Sequence, residues 1–208
     1  MSNPLSGVRA DQTFSYRELE KVANRVRAHL KCPPDRPIDT LRLFEDLHEI
    51  SIQLRDGTVI PFGGGVIDLD SEGYTRYDRQ RHIIEILASE HTYHRLEAGH
   101  PRAGYFVAHE LGHCLLHTDQ LVRLAQMPTH QQAAFHRGRA DHRPYEDTEW
   151  QANGFASALL MPARGISTIE QVCNRLSPSL IAARFGVSME AAGYRIKLYQ
   201  ERRSQLLD

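Results

Sequence analysis

The sequence has few cysteines and no long apolar run. Its three cysteines, Cys32, Cys114 and Cys173, are widely spaced and form no CxxC pair, which argues against a disulfide framework and fits a reducing compartment. No apolar stretch reaches transmembrane length, and the N-terminus lacks the basic and apolar regions of a signal peptide. We therefore expect a soluble cytoplasmic protein that has no membrane partner.

The chain also lacks an excess of charge of either sign. It has 25 Lys and Arg against 26 Asp and Glu, for a formal net charge of −1. Such a balance gives no overall attraction to nucleic acid or to an anionic membrane. With 208 residues and 41% hydrophobic content, the chain is long enough for one folded domain or for one domain with a small appendage.

The most informative stretch is the motif HExxH at residues 109–113. Residues four apart lie on the same face of a helix, so His109 and His113 can turn ring nitrogens toward one metal ion. Two histidines leave room for a third protein ligand and a water, as in catalytic zinc sites. Glu110 would then be the general base that takes a proton from the water.

The flanks of the motif are apolar and predict a buried helix that starts near residues 101–103 and runs through His117. Two unpaired imidazoles on a buried helix need a partner, which favours the metal site. His117 lies eight residues beyond His109, or about 12 Å along the helix axis, too far to share the same ion. We interpret it as a helix-end histidine or one that supports a ligand from behind.

A second predicted helix offers a candidate for the third ligand. It begins near Glu149, after Asp147 or Thr148 as N-cap, and ends at residues 161–162. One face of this helix is apolar apart from Glu149 and Asn153, and a carboxylate on a buried face is costly unless it is paired or bound to metal. Glu149 is therefore a candidate ligand, with Asn153 one turn later holding a ligand side chain in place.

Two alternatives to this assignment stay open. Glu149 could be only a helix-start glutamate that the helix dipole favours. Glu146 is a competing candidate for the third ligand.

Sequence periodicity predicts the remaining elements. Helices are expected from Ser15, the first residue of a capping box, to before residue 32, and from Thr40 to about His48. Alternating or apolar runs predict strands at residues 51–55, 65–69, 74–77 and 82–87. The expected fold class is thus α+β, with a small, mostly antiparallel sheet packed on the HExxH helix.

Three stretches are predicted to connect these elements. The run at residues 63–65 lacks GK[ST] and is interpreted as a turn, and residues 90–104 as a linker. Residues 118–144 show no strong period, and such long connections are usually functional or mobile. They could form a lid beside the metal, but a solvated basic loop is the interpretation that we favour slightly.

The C-terminal region is predicted to be helical. Residues 168–176 form one short helix, and residues 180–196 resemble a helix-turn-helix with Gly186 at the turn and Ser188 as the next N-cap. From residue 179 onward there are five basic and three acidic residues. That surplus is too small for a phosphate-binding surface, so direct DNA binding is not expected.

The predicted domain organisation has three parts. Residues 1–13 form a flexible tail, residues 14–162 a metallopeptidase-like domain, and residues 163–208 a helical, helix-turn-helix-like subdomain. The subdomain is expected to serve in packing or substrate docking.

The sequences AHELGHCLLH and EWQANGFASALLMP together resemble the ImmA/IrrE family of HExxH metallopeptidases. This resemblance implies a zincin-like fold with a gluzincin-like site, in which His109, His113 and Glu149 bind the metal and Glu110 is the general base. A metzincin is excluded, because Leu116 and Asp119 stand where its glycine and third histidine belong. The stretch between the two motifs is longer and richer in histidine than the family pattern. The resemblance therefore does not imply the lid or cleft geometry of the family for this chain.

The resemblance further implies a zinc-dependent endopeptidase, with Mn²⁺ as a possible substitute, that cleaves a helix-turn-helix repressor of a prophage, a mobile element or a stress response. An extended substrate could add to the sheet along residues 82–88. Four residues are candidates to stabilise the oxyanion: Tyr105, Tyr145, His136 and His142. The oligomeric state is not predicted.

Two other functions compete with this one. The first is a catalytically silent antirepressor or antitoxin-like partner that uses its metal only for structure. The intact Glu110 argues against it, since a structural site needs no general base. The second is a DNA-binding regulator that uses residues 180–200.

Overall fold

The structure is a computed structural model and describes residues 8–54, 56–128 and 143–208. Within them, four strands are β1 (Ser51–Gln53), β2 (Val59–Ile67), β3 (Gly73–Asp78) and β4 (Ile83–Ser89). The α-helices are α1 (Tyr16–His29), α2 (Thr40–Glu45), α3 (Glu90–Glu97), α4 (Pro101–Leu116), α5 (Thr118–Gln126), α6 (Thr148–Leu160), α7 (Ala163–Cys173), α8 (Pro178–Phe185) and α9 (Met189–Leu207). The predicted α+β class is confirmed, and none of the described helices is long and apolar enough to cross a membrane.

The sheet is mixed, with strand order β1-β2-β4-β3. Two of its three pairs are antiparallel, as predicted, whereas β2 and β4 run parallel. The apolar side chains of β4 are buried, as is typical of a strand in the middle of a sheet. The expectation that a substrate adds along residues 82–88 is therefore wrong, because β4 is paired on both sides. Among the described strands, β1 and β3 lie at the two edges of the sheet.

The glycine run at residues 63–65 is not a turn. It lies inside β2, where the strand passes under α2. A Cβ atom on Gly64 would lie 2.8 Å from the carbonyl oxygen of Phe44, closer than real side chains come. Glycine is needed here for close contact between strand and helix and not for a turn.

The caps predicted for α1 and α6 are present. The Ser15 hydroxyl accepts a hydrogen bond from the Glu18 amide at 3.3 Å, and the Glu18 carboxylate accepts one from the Ser15 amide at 2.7 Å. At α6, the Asp147 carboxylate accepts from the Trp150 amide at 2.9 Å. Each interaction satisfies an amide that a helix start leaves without a backbone partner.

Two stretches predicted as connections contain helices. Residues 90–97 form α3, capped by the Ser89 hydroxyl, and this helix buries Thr92 and Leu96. Residues 118–126 form α5. Both helices are short and mostly polar, so their apolar period spans too few residues to be recognised. Residues 129–142, which make up most of the rest of the stretch 118–144 interpreted as a basic loop or a lid, lie outside the described part of the chain.

Residues 8–10 do not behave as the tail that was predicted for residues 1–13. Arg9 forms a β-bridge with Asp147. The Thr148 amide donates to the Val8 carbonyl at 3.1 Å, and the Ala10 amide donates to the Glu146 carbonyl at 2.7 Å. This segment is therefore fixed to the start of α6. Residues 1–7 lie outside the described residues.

The helical C-terminal region is present, with Gly186 in the left-handed conformation between α8 and α9 and Ser188 as N-cap of α9. One cluster of buried apolar side chains joins α1, the sheet, α4 and α6 to α7, α8 and α9. The core thus runs across the boundary predicted at residue 162, and that division stays a prediction.

A buried ion pair connects the C-terminal region to α1. The Arg195 Nη2 atom donates to the Glu20 carboxylate at 2.5 Å, and the two side chains are only 1% and 2% exposed. Arg195 Nε also donates to the Met161 carbonyl at 2.8 Å, and the other Glu20 oxygen accepts from the Ala163 amide at 2.7 Å. The pair therefore holds the junction between α6 and α7 against α1.

We predict that Glu20→Leu destabilises the protein by about 3–5 kcal/mol, because it leaves the Arg195 charge buried without a partner. The double variant Glu20→Leu/Arg195→Met should recover much of this loss. The free energy of unfolding in urea measures both effects. Glu201→Gln is the control, since the exposed Lys197–Glu201 pair at 4.0 Å should contribute less than about 1 kcal/mol. An equal loss in Glu20→Leu and Glu201→Gln would contradict the prediction.

Candidate metal centre

The site lies where α4 and α6 pack against each other. A Cβ atom on Gly112 would lie 3.1 Å from both Ala152 Cα and Phe155 Cδ1. The glycine of the HExxH motif therefore allows a close approach of the two helices, at the level of the motif. Because of this approach, a side chain of α6 reaches the histidines of α4.

The three predicted ligands meet at one point. His109 Nε2 and His113 Nε2 lie 3.1 Å apart. The Glu149 carboxylate oxygens lie 3.1 Å from His109 Nε2 and 3.2 Å from His113 Nε2. Each histidine side chain is 15% exposed and that of Glu149 is 35% exposed, so the group is open to solvent on one side.

This donor set fits a zinc ion. Ligand atoms bound tetrahedrally at about 2.0–2.1 Å are separated by about 3.3 Å. The observed separations of 3.1–3.2 Å are close to that value, and the solvent-facing side leaves a position for a water. Within the described residues, this is the one group of three or more His, Cys, Asp or Glu side chains arranged to hold a metal.

Asn153, which was predicted to hold a ligand side chain in place, contacts His109. Its side-chain oxygen lies 3.1 Å from His109 Nδ1, so that nitrogen carries the proton and Nε2 keeps its lone pair for a metal. The Tyr105 hydroxyl donates to the Asn153 carbonyl at 3.2 Å and lies 3.4 Å from its side-chain oxygen. Burial raises the pKa of Tyr105 to about 12, so the hydroxyl stays protonated. This candidate oxyanion helper is already engaged with Asn153.

Within this group, the His109 imidazole and the Glu149 carboxylate each stabilise the charged form of the other. In the metal-free protein burial raises the pKa of Glu149, but the contacts of His109 and His113 with its carboxylate lower the pKa by more, so it lies well below its usual value. Burial lowers the pKa of His109, but the carboxylates of Glu149 and Glu110 outweigh it and raise the pKa overall. Glu149 is thus an anion, as a carboxyl group must be to bind a metal ion.

Thr75 on β3 contacts the predicted general base and was missed in the sequence. Its hydroxyl donates to Glu110 Oε2 at 2.7 Å, and Glu110 is 9% exposed. The alternation of residues 74–77 indicated that Thr75 lies on one face of a strand. That pattern did not indicate which helix this face would cover.

His117 is the C-cap of α4 and lies behind His113. Its Nδ1 is 3.1 Å from His113 Nδ1, and its Nε2 is 3.0 Å from Gln151 Oε1. Burial, together with the nearby His113, lowers the pKa of His117 to about 4. The sequence prediction that His117 supports a ligand agrees with this position. Gln151 was not singled out, because a glutamine on an apolar helix has no recognisable pattern.

Glu146, the competing candidate for the third ligand, is not part of the cluster. The Glu146 carboxylate accepts from the Arg143 amide at 2.8 Å and pairs with Arg9 at 3.1 Å, and it is not in the metal-binding group. The Tyr145 hydroxyl accepts from Arg143 at 2.7 Å. His136 and His142 lie outside the described residues.

The lowered pKa of His117 predicts a pH effect on the metal-free protein. Below its ordinary pKa of 6.5 this histidine binds a proton in the unfolded chain, but in the folded chain only near pH 4. The contribution of neutral His117 to the free energy of unfolding is therefore present above pH 6.5 and is lost as the pH falls toward 4. The loss is roughly 2 kcal/mol between pH 6.5 and 5. Urea unfolding in a chelator measures this loss.

The variant His117→Asn has no titrating group at this position and should lose about 2 kcal/mol less over the same pH interval. His48→Asn, at an exposed histidine, is the control and should follow the wild type. Parallel curves for the wild type and His117→Asn would contradict the prediction.

Comparison with known proteins agrees with this geometry. A sequence model for family M78 peptidases, described as the IrrE N-terminal-like domain, matches residues 66–197, which is more than half of the chain. The match includes β3, β4 and the helices α4 and α6 that carry the His-His-Glu group. A comparison with curated proteins finds no match. The chain therefore belongs to the M78 peptidase family with an IrrE N-terminal-like domain, as the resemblance of its two motifs predicted.

Proposed function

We propose that this protein is a zinc-dependent endopeptidase that cleaves a helix-turn-helix transcriptional repressor. The observation that carries the proposal is the convergence of His109, His113 and Glu149 within 3.2 Å, with Glu110 beside them on α4. The donor set favours zinc, with Mn²⁺ as a possible substitute. Membership of a peptidase family supports hydrolysis of a peptide bond.

Glu110 is the residue that moves protons. When bound here, a zinc ion would supply Lewis acidity to a water and to the scissile carbonyl. The Glu110 carboxylate would accept the proton of the attacking water and pass it to the leaving amine. The Thr75 hydroxyl holds Oε2 of this carboxylate, so Oε1 is the oxygen left to take the proton.

The edge strand β3 is the proposed docking position for the substrate. Thr75 lies on β3 and contacts Glu110, so an extended peptide paired with the outer edge of this strand would run beside the general base. Such pairing requires a substrate segment that is extended or that can unfold locally. A linker in a repressor meets this requirement, and the ImmA/IrrE resemblance favours repressors of prophages, mobile elements or stress responses.

The helix-turn-helix-like region is proposed to serve in packing and not in DNA binding. Each of the five basic side chains from residue 179 onward already has a partner within the molecule. The pairs are Arg184 with Asp35, Arg195 with Glu20, Lys197 with Glu201, Arg203 with Glu170, and Arg202 with the ring of Tyr16. Phosphate binding would have to break these contacts.

The test is to incubate the zinc-loaded protein with a helix-turn-helix regulator encoded beside its gene and to identify the products by mass spectrometry. We expect one defined cut by the wild type. Glu110→Gln should bind zinc normally but cleave at least about 100-fold more slowly, because it has lost the general base.

Glu146→Gln is the matched control, since this glutamate, whose side chain is 18% exposed, lies just before α6 but outside the metal group. It should cleave like the wild type. Equal cleavage by Glu110→Gln and the wild type would refute the proposal. Binding of the regulator by both proteins without any cut would instead support a partner that sequesters the regulator.

A further inference from the structure

A chain of hydrogen bonds leads from the metal group to the N-terminal segment. His113 Nδ1 lies 3.1 Å from His117 Nδ1, and His117 Nε2 lies 3.0 Å from Gln151 Oε1. Gln151 Nε2 then donates to the backbone carbonyls of Gln12 at 2.7 Å and Tyr145 at 2.8 Å. His117 is 5% exposed and Gln151 is fully buried, so water does not substitute for these contacts.

The donor and the acceptor of every hydrogen bond in this series follow from the two backbone carbonyls, those of Gln12 and Tyr145. A carbonyl oxygen only accepts hydrogen bonds, so both protons of the Gln151 amide nitrogen point toward Gln12 and Tyr145. The amide oxygen of Gln151 must then face His117. Because that oxygen is an acceptor, the Nε2 atom of His117 carries a proton and donates it.

The remaining contact determines the proton on His113. Two Nδ1 atoms at 3.1 Å form a hydrogen bond only if one donates and the other accepts. A neutral His117 with its proton on Nε2 has a lone pair on Nδ1, so the donor is His113 Nδ1. The proton of neutral His113 is thereby fixed on Nδ1, and its Nε2 lone pair faces the other ligands.

We propose that Gln12, Gln151 and His117 are positioning groups that commit the Nε2 atom of His113 to the metal. The N-terminal segment at residues 8–12 is then part of the metal centre, although the family match begins only at residue 66. This inference rests on the metal site of the proposed function.

The two ligand histidines are oriented from the same helix. Asn153 of α6 accepts from His109 Nδ1, and Gln151 of α6 acts on His113 through His117. Helix α6 thus supplies Glu149 as a ligand and sets the proton positions of both histidines on α4. The N-terminal segment, which binds the start of α6 and the Gln151 amide, stabilises this arrangement.

The first test compares His117→Leu with His117→Asn. Leucine fills much of the volume but accepts no hydrogen bond, whereas an asparagine oxygen can take the place of the Nδ1 lone pair. We expect zinc affinity, measured by competition with a chelator, to fall about 10–100-fold in His117→Leu. His117→Asn should keep nearly the wild-type affinity, and so should the exposed control His48→Leu.

The second test needs no substitution in the metal centre. In the full-length, zinc-loaded protein, nitrogen NMR of the histidine rings reports which nitrogen carries the proton. We expect His117 to carry it on Nε2 and His113 to carry it on Nδ1. Circular dichroism of both His117 variants checks that they are folded.

The outcomes separate this inference from the proposed function. Absence of zinc binding by the wild type would refute both. Zinc binding by the wild type with the same affinity in His117→Leu, or with an equal loss in His117→Leu and His117→Asn, would refute only the positioning role. A proton on His117 Nδ1 would also refute it, whatever the affinities.

Discussion

The candidate metal centre depends on how closely α4 and α6 approach each other. Their contact at Gly112 brings one carboxylate to two imidazoles, and the three ligand separations of 3.1–3.2 Å allow little error. Other parts of the fold hold α6 in place. The bridge between Arg9 and Asp147 fixes its start, and the Arg195–Glu20 pair fixes its end through the Met161 carbonyl. Packing across the whole chain thus sets the geometry of one small site.

The parts that could be predicted from the sequence are those with a local cause. Ser15 and Asp147 mark helix starts because a side-chain oxygen there satisfies a free amide nearby. His109 and His113 share a face because helical spacing alone requires it. Glu149 was found because a carboxylate on an apolar face must have a partner. Each of these arguments uses residues close together in sequence.

The parts that were missed depend on contacts between distant residues. The parallel pairing of β2 and β4 is decided by the connection through β3, and no pattern within β4 distinguishes it from an antiparallel pairing. Thr75 became part of the site only when β3 was placed against α4. In the sequence, residues 8–10 resemble a tail because the residues to which their backbone is hydrogen-bonded, 146–148, are far away along the chain. Local patterns carry no information about such contacts.

The long-range contacts also determine when the protein can fold during its synthesis. The hydrogen bond from Val8 to Thr148 spans 140 positions, and the one from Arg195 to Glu20 spans 175. At about 5–20 residues per second, a ribosome takes roughly 9–35 s to make the chain between Glu20 and Arg195. Throughout that interval the Glu20 carboxylate must remain hydrated and α1 must lack its C-terminal partner. A nascent chain can therefore complete this part of its core only after Arg195 has been made, so the end of α6 is not held against α1 before then.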